Sequence, residues 1–106
     1  MSKYHAVKTT VDNIVFDSTK EANRYSDLKL LVRAGTIHDL ELQPVYPIVI
    51  NGFKVCDVIP DFRYKALDGK TVVEDVKGMR TGAAYQMFKL KSKLVEAMYS
   101  VRIIEI

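Results

Sequence analysis

The stretch FKVCDVIPDFRYK (residues 53–65), then ALDGK (66–70) and TVVEDVK (71–77), decides the fold. Both flanking segments are dense in β-formers, and Asp68-Gly69 between them is a hairpin signal, so they are expected as neighbouring strands. Pro60 has no backbone N–H to give to a ladder, which predicts an edge position or a bulge within the first strand. Side chains alternate along a strand, so Val73, Asp75 and Lys77 share one face while Glu74 and Val76 take the other. The same rule groups Asp57, Ile59 and Asp61. Asp61 is then expected to approach Asp75 from the adjacent strand.

Working outward, Asn51-Gly52 is the strongest short hairpin signal in the chain, and it joins this unit to an extended segment, Tyr46–Ile50. Ile37 to Gln43 reads as an earlier strand interrupted by Pro44. Upstream, Ser18-Thr19-Lys20-Glu21 has capping-box spacing, with Asp17 as the other candidate cap, and Gly35 supplies the stop. Between them Ala22, Tyr25, Leu28, Leu31 and Val32 recur at helical spacing, and Glu21 lies at the edge of that apolar stripe. Residues 1–16 are expected as an arm or a small hairpin. Downstream, Gly78 and Gly82 bracket a loop, Ala83 to Tyr99 reads as a second helix with Ala84, Met87, Phe88, Leu94, Val95 and Met98 on a broad apolar side, and Val101 to Ile106 closes as a strand. The expected class is α/β (α+β): an αβββαβ core whose mixed sheet is flanked by helices, the last strand adding in parallel through a helical crossover.

At 106 residues and 48% hydrophobic, the chain fits one domain, so any site is carved from the elements that form the core. The net charge of +3 is modest but unevenly placed. Residues 76–95 hold Lys77, Arg80, Lys89, Lys91 and Lys93 with no acid, while most acids lie between Asp12 and Asp75. A basic rim beside carboxylates suits a phosphate backbone next to a cation. Cys56 is the only cysteine, which excludes an intrachain disulfide and points to a reducing, cytoplasmic setting. No apolar run reaches a membrane span, and the first residues lack the apolar core of a signal peptide. Neither His5 nor His38 has partners at zinc spacing.

Two carboxylates brought together repel, and a divalent cation resolves the conflict. Mg²⁺, with Mn²⁺ as a substitute, takes hard oxygen ligands and keeps several waters, so Asp61, Asp75 and the Val76 carbonyl are a sufficient protein contribution. Glu21 would bind through water or support a second ion, and Lys77 would orient the nucleophile or stabilise developing charge. The acid-x-Lys triplet occurs three times here, as Asp27-Leu28-Lys29, Asp68-Gly69-Lys70 and Asp75-Val76-Lys77. Only the third lies in a strand-like run beside another strand bearing Pro60-Asp61 and after an acid-bearing helix.

Those residues, together with Lys3-Tyr4-His5-Ala6, Phe16-Asp17-Ser18, Leu42-Gln43-Pro44 and Glu74-Asp75-Val76-Lys77-Gly78, resemble small phage and prophage proteins that are themselves similar to compact PD-(D/E)XK nucleases, including archaeal Holliday-junction resolvases and VRR-type domains. The resemblance spans nearly the whole chain and implies a restriction-endonuclease-like core. It also implies catalytic roles for Glu21, Asp61, Asp75 and Lys77, and a homodimer. In this chain Glu74 directly precedes Asp75, so strand register decides which acid faces the metal; the i+2 relation to Lys77 favours Asp75.

The expected activity is Mg²⁺-dependent hydrolysis of DNA phosphodiesters, in branched or otherwise structured DNA, during phage recombination or replication. Nucleic-acid contacts are expected from Lys3, Lys8, Gln43, Arg80, Thr81, Tyr85, Gln86, Lys89 and Lys93. A non-catalytic nucleic-acid-binding protein that keeps the fold, or a protein-interaction module, are the competing readings.

Overall fold

The computed structural model describes residues 7–106. Lys3 and His5 lie outside them. Thr9–Val11 (β1) and Ile14–Phe16 (β2) form the small N-terminal hairpin. The first helix, Thr19–Arg33 (α1), starts at Ser18, whose hydroxyl accepts the Glu21 N–H at 3.1 Å, so Ser18 and not Asp17 is the cap. Ala22, Tyr25 and Leu28 are its buried stripe. The Tyr25 hydroxyl reaches back to Asp12 at 2.8 Å and its ring packs on Phe16, which ties the hairpin to the helix.

Six strands follow: Ile37–Leu42 (β3), Tyr46–Ile50 (β4), Phe53–Val58 (β5), Phe62–Ala66 (β6), Thr71–Asp75 (β7) and Ile103–Glu105 (β8), with the helix Gly82–Tyr99 (α2) before the last. The main sheet runs β3-β6-β7-β8. Its first three strands are antiparallel neighbours, and β8 adds to β7 in parallel after the α2 crossover. This is the αβββαβ order with a mixed sheet, carrying an extra hairpin.

That hairpin, β4–β5, departs from the continuous strand expected over 53–65. The run breaks at Ile59-Pro60-Asp61, and its halves pair in different sheets. Pro60 gives no N–H at the break, whereas the Asp61 N–H donates to the Glu74 carbonyl at 3.1 Å and so begins the main-sheet pairing. A matching break lies between β3 and β4. Gln43 adopts φ 50°, a left-handed conformation uncommon for residues with a side chain, and donates its N–H to the Asp61 carbonyl at 2.9 Å. The β4–β5 turn is Asn51-Gly52 with φ 51° and 81°, the conformation that favours this pair in two-residue hairpins.

The two sheet faces carry separate cores. Phe62 and Tyr64 of β6 pack with Ala22, Tyr25 and Leu28 of α1, together with Phe16 and Ile37. Val73 and Ile103 face the other way, onto Val95 of α2 and onto Tyr46, Ile48 and Val58 of the hairpin. The chain thus covers one face with α1 and the other with α2 plus β4–β5. Among the described residues, no helix is long and apolar enough to cross a membrane.

Candidate active site

The site lies at the end of β7. Phe62 pairs with Glu74 at the end of the ladder, and Asp61 just before it is held beside β7 by its N–H on the Glu74 carbonyl and by the Val76 N–H on its Oδ2. The Asp61 and Asp75 carboxyls are within hydrogen-bonding reach of each other. Burial, above all, and then the hydrogen bond with Asp75 push the Asp61 carboxyl up to about 8, although the Val76 N–H, which donates to Asp61 Oδ2 at 2.7 Å, favours its ionised form. The protonated form of Asp61 is therefore favoured. Glu21 is the third acid here: burial, followed by the negative charges of Asp17 and Asp75, raises its pKa.

Lys77 completes the group. Its amine lies 2.8 Å from Asp75 Oδ2 and 3.6 Å from the centre of the Phe88 ring, so α2 supports the lysine from the far side. The backbone here is held just as closely. The Ile106 N–H donates to the Asp75 carbonyl at 2.9 Å, the Lys77 N–H to the Ile106 carbonyl at 3.1 Å, and Lys20 of α1 to the Lys77 carbonyl at 2.7 Å. Asp75 and Lys77 therefore stay on one side of the sheet although the ladder of β7 ends at Asp75.

Glu74 points the opposite way. It is 1% exposed and takes both hydrogen bonds of a bidentate Arg24 guanidinium, Nε to Oε1 at 2.7 Å and Nη2 to Oε2 at 2.6 Å, while the Tyr64 hydroxyl also donates to Oε2. Side-chain alternation along β7 already places Glu74 on the face away from Asp75. Its partner Arg24 is on α1, three residues beyond Glu21 and on the side of the sheet that Glu74 faces. The cluster locks α1 against β7 next to the acids.

A fit to Mg²⁺ can be judged from the donor set. Among the described residues, no three His, Cys, Asp or Glu side chains form a ready-made cage. Asp61 beside Asp75, with Glu21 as a third acid nearby, instead fits a cation that takes one or two carboxylates and keeps its waters. Asp61 and Asp75 would hold it directly with the Val76 carbonyl, and Glu21 through water.

The expected nucleic-acid contacts are dispersed around this centre. Lys8, Gln43, Thr81, Gln86, Lys89 and Lys93 are exposed. Thr81 caps α2 without a side-chain hydrogen bond. Arg80 and Tyr85 both turn to Glu105 of β8, at 3.4 and 2.8 Å, and Lys89 lies over the Tyr85 ring. Glu105 was not anticipated; it sits beside Asp75 in the parallel β7–β8 register.

Comparison with curated proteins and with solved structures finds no match. The family described as "Protein of unknown function (DUF1064)" matches residues 1–105, and the chain belongs to that family.

Proposed function

We propose that this protein is a metal-dependent nuclease of the PD-(D/E)XK type that hydrolyses DNA phosphodiesters. The observation that carries the reading is the convergence at the end of β7, where Asp61 Oδ2 accepts the Val76 N–H at 2.7 Å and the Lys77 amine lies 2.8 Å from Asp75 Oδ2. Burial disfavours the charged form of Asp61, and a bound cation is what would favour it.

Bound Mg²⁺ would supply charge neutralisation at the scissile phosphate and a lowered pKa for the attacking water. Asp61 and Asp75 would hold the ion, Asp61 in its ionised form. Lys77, fixed between Asp75 and the Phe88 ring, would donate to a phosphate oxygen or to the attacking water, where negative charge builds up. Glu21 would contact the ion through water. Exposed Lys89 and Lys93, one helical turn apart on α2, would meet the backbone of the same strand.

The substrate we favour is branched or otherwise structured DNA, handled by a two-fold dimer in the cytoplasm of a phage-infected or prophage-bearing cell. Support for a dimer comes from apolar residues left exposed on the β4–β5 hairpin: Val49, Ile50, Phe53 and Val55. The test is incubation of purified protein with labelled linear, flap and four-way DNA in Mg²⁺, Mn²⁺ or EDTA. Cutting in either metal and none in EDTA is expected, with the branched substrates cut in preference. Folded protein that leaves all three intact in both metals overturns the reading.

A further inference from the structure

Met87, Leu90, Leu94 and Met98 follow one another along α2 at i, i+3, i+7 and i+11, so they line one flank of the helix over about 16 Å. Leu94 packs partly into the core, but Met87, Leu90 and Met98 are 51, 54 and 41% exposed. A helix that only closes the sheet needs its apolar residues on the inner side, where Val95 and Phe88 already stand. The stripe also meets the hairpin: Met87 and Phe88 share an apolar cleft of about 350 Å³ with Ile59, itself 53% exposed. A row of accessible apolar side chains running into a cleft marks a surface that something covers.

The charges around this stripe are of one sign. Lys91 borders it within the cleft, and Lys93 borders it on the side toward β8. Among the described residues neither lysine has an ion-pair partner. The nearby acids are already matched: Asp75 by Lys77, Asp57 by Lys54 and Glu96 by Arg102. A second copy of the chain suits the stripe poorly, because two α2 helices packed about a two-fold axis bring the same lysines together. The β4–β5 hairpin of a second copy does no better, since Asp57 is its only acid and is already paired. A phosphate backbone gains nothing from Met87, Leu90 and Met98. The length of the stripe matches three turns of a helix, more than a small molecule needs.

We propose that this flank of α2 is a docking groove for an acidic amphipathic helix of a partner protein. The partner's apolar side lies along Met87, Leu90 and Met98, with one side chain in the cleft between Met87 and Ile59, and its carboxylates meet Lys91 and Lys93. Two methionines suit such a groove, because an unbranched side chain adapts to the shape set against it. Asp75 forms part of the cleft wall, so the docked helix sits beside the proposed cutting site, although docking needs none of its chemistry.

The experiment measures fluorescence anisotropy of two labelled helical peptides of about 18 residues, each with leucine at i, i+3 and i+7 spacing along one side. One carries glutamate on its other side and the second carries lysine there. The protein should bind the glutamate peptide at least about tenfold more tightly than the lysine peptide. Leu90→Ser, which changes no charge, should weaken that binding about tenfold, and Lys91→Glu should remove the preference between the peptides. Lys70→Glu, the same charge change in the β6–β7 turn, should leave the preference in place. Equal binding of the two peptides, binding of neither, or a folded Leu90→Ser protein that binds like the wild type overturns the groove, as does a Lys70→Glu effect equal to that of Lys91→Glu. Sedimentation and flotation with phosphatidylserine vesicles separate the other occupants. If Leu90→Ser splits a wild-type dimer, a second copy covers the stripe; if it releases the protein from vesicles, a membrane does; either result overturns the proposal. The binding assay contains no DNA, so a failure of cutting leaves the groove standing, and an empty groove leaves the nuclease reading standing.

Discussion

Asp61 and Glu74 are separated by one strand ladder and have opposite fates. Glu74 is fully buried and ionically satisfied by Arg24, so removing either partner strands the other. Glu74→Gln should cost about 3 kcal/mol of stability, measured by urea unfolding, because the Arg24 charge is then left uncompensated in a partly buried place. A loss below about 1 kcal/mol, the range of a surface pair, would show that the cluster does not clamp α1. Asp61 is destabilised when ionised, not when neutral. Its folded pKa of about 8 lies above the ordinary carboxyl value, so the stability it contributes is complete below pH 4 or so and is lost as pH rises through about 8. Metal-free protein should therefore show a Tm that falls between about pH 4 and about pH 8. Mg²⁺ should raise Tm more at pH 8.5 than at pH 6, since the Asp61 proton competes with the cation. Asp61→Asn should flatten the metal-free trend and abolish the Mg²⁺ response; an unchanged pH trend in that variant would assign the titration to another group.

At the level of elements, α1 matters because it carries Glu21, Lys20 and Arg24 to the end of β7. Its start is set by Ser18, so Ser18→Ala should lower stability by about 1 kcal/mol, read from the same unfolding curves, and an unchanged midpoint would contradict the capping assignment. The helix, its cap and the face alternation of Asp75 and Lys77 against Glu74 were legible in the sequence, because each rests on residues within one or two turns or pleats of one another. The break at Pro60 was legible only as an irregularity. Whether the chain bulges or leaves the sheet depends on partners far away: Val58 pairs with Tyr46, whereas Phe62 pairs with Leu42 and Glu74. The Arg24–Glu74 pair spans fifty residues and had no local signature. Likewise Arg80 and Tyr85 read as phosphate contacts because their partner Glu105 lies a whole helix away.

The whole molecule is flat, 44 × 41 × 21 Å, with a radius of gyration of 14.8 Å against about 13 Å for a compact domain of this length. The β4–β5 hairpin contributes apolar surface to that shape, with Phe53 at 78% exposed. If this surface closes a two-fold dimer, sedimentation at micromolar concentration should give twice the chain mass, and Phe53→Asp should return a folded monomer; a wild-type monomer would rule the dimer out. The proposed activity rests on a different part of the molecule, where two strands, two helices and the chain end converge on Asp75. Its most direct test is single-turnover cleavage of a flap substrate in Mg²⁺ by wild-type protein and by Asp75→Asn, with folding of both verified by circular dichroism. The account predicts cutting by the wild type and a loss of at least about a hundredfold in the variant. Equal rates for the two proteins, or no cutting by folded wild type, would contradict it.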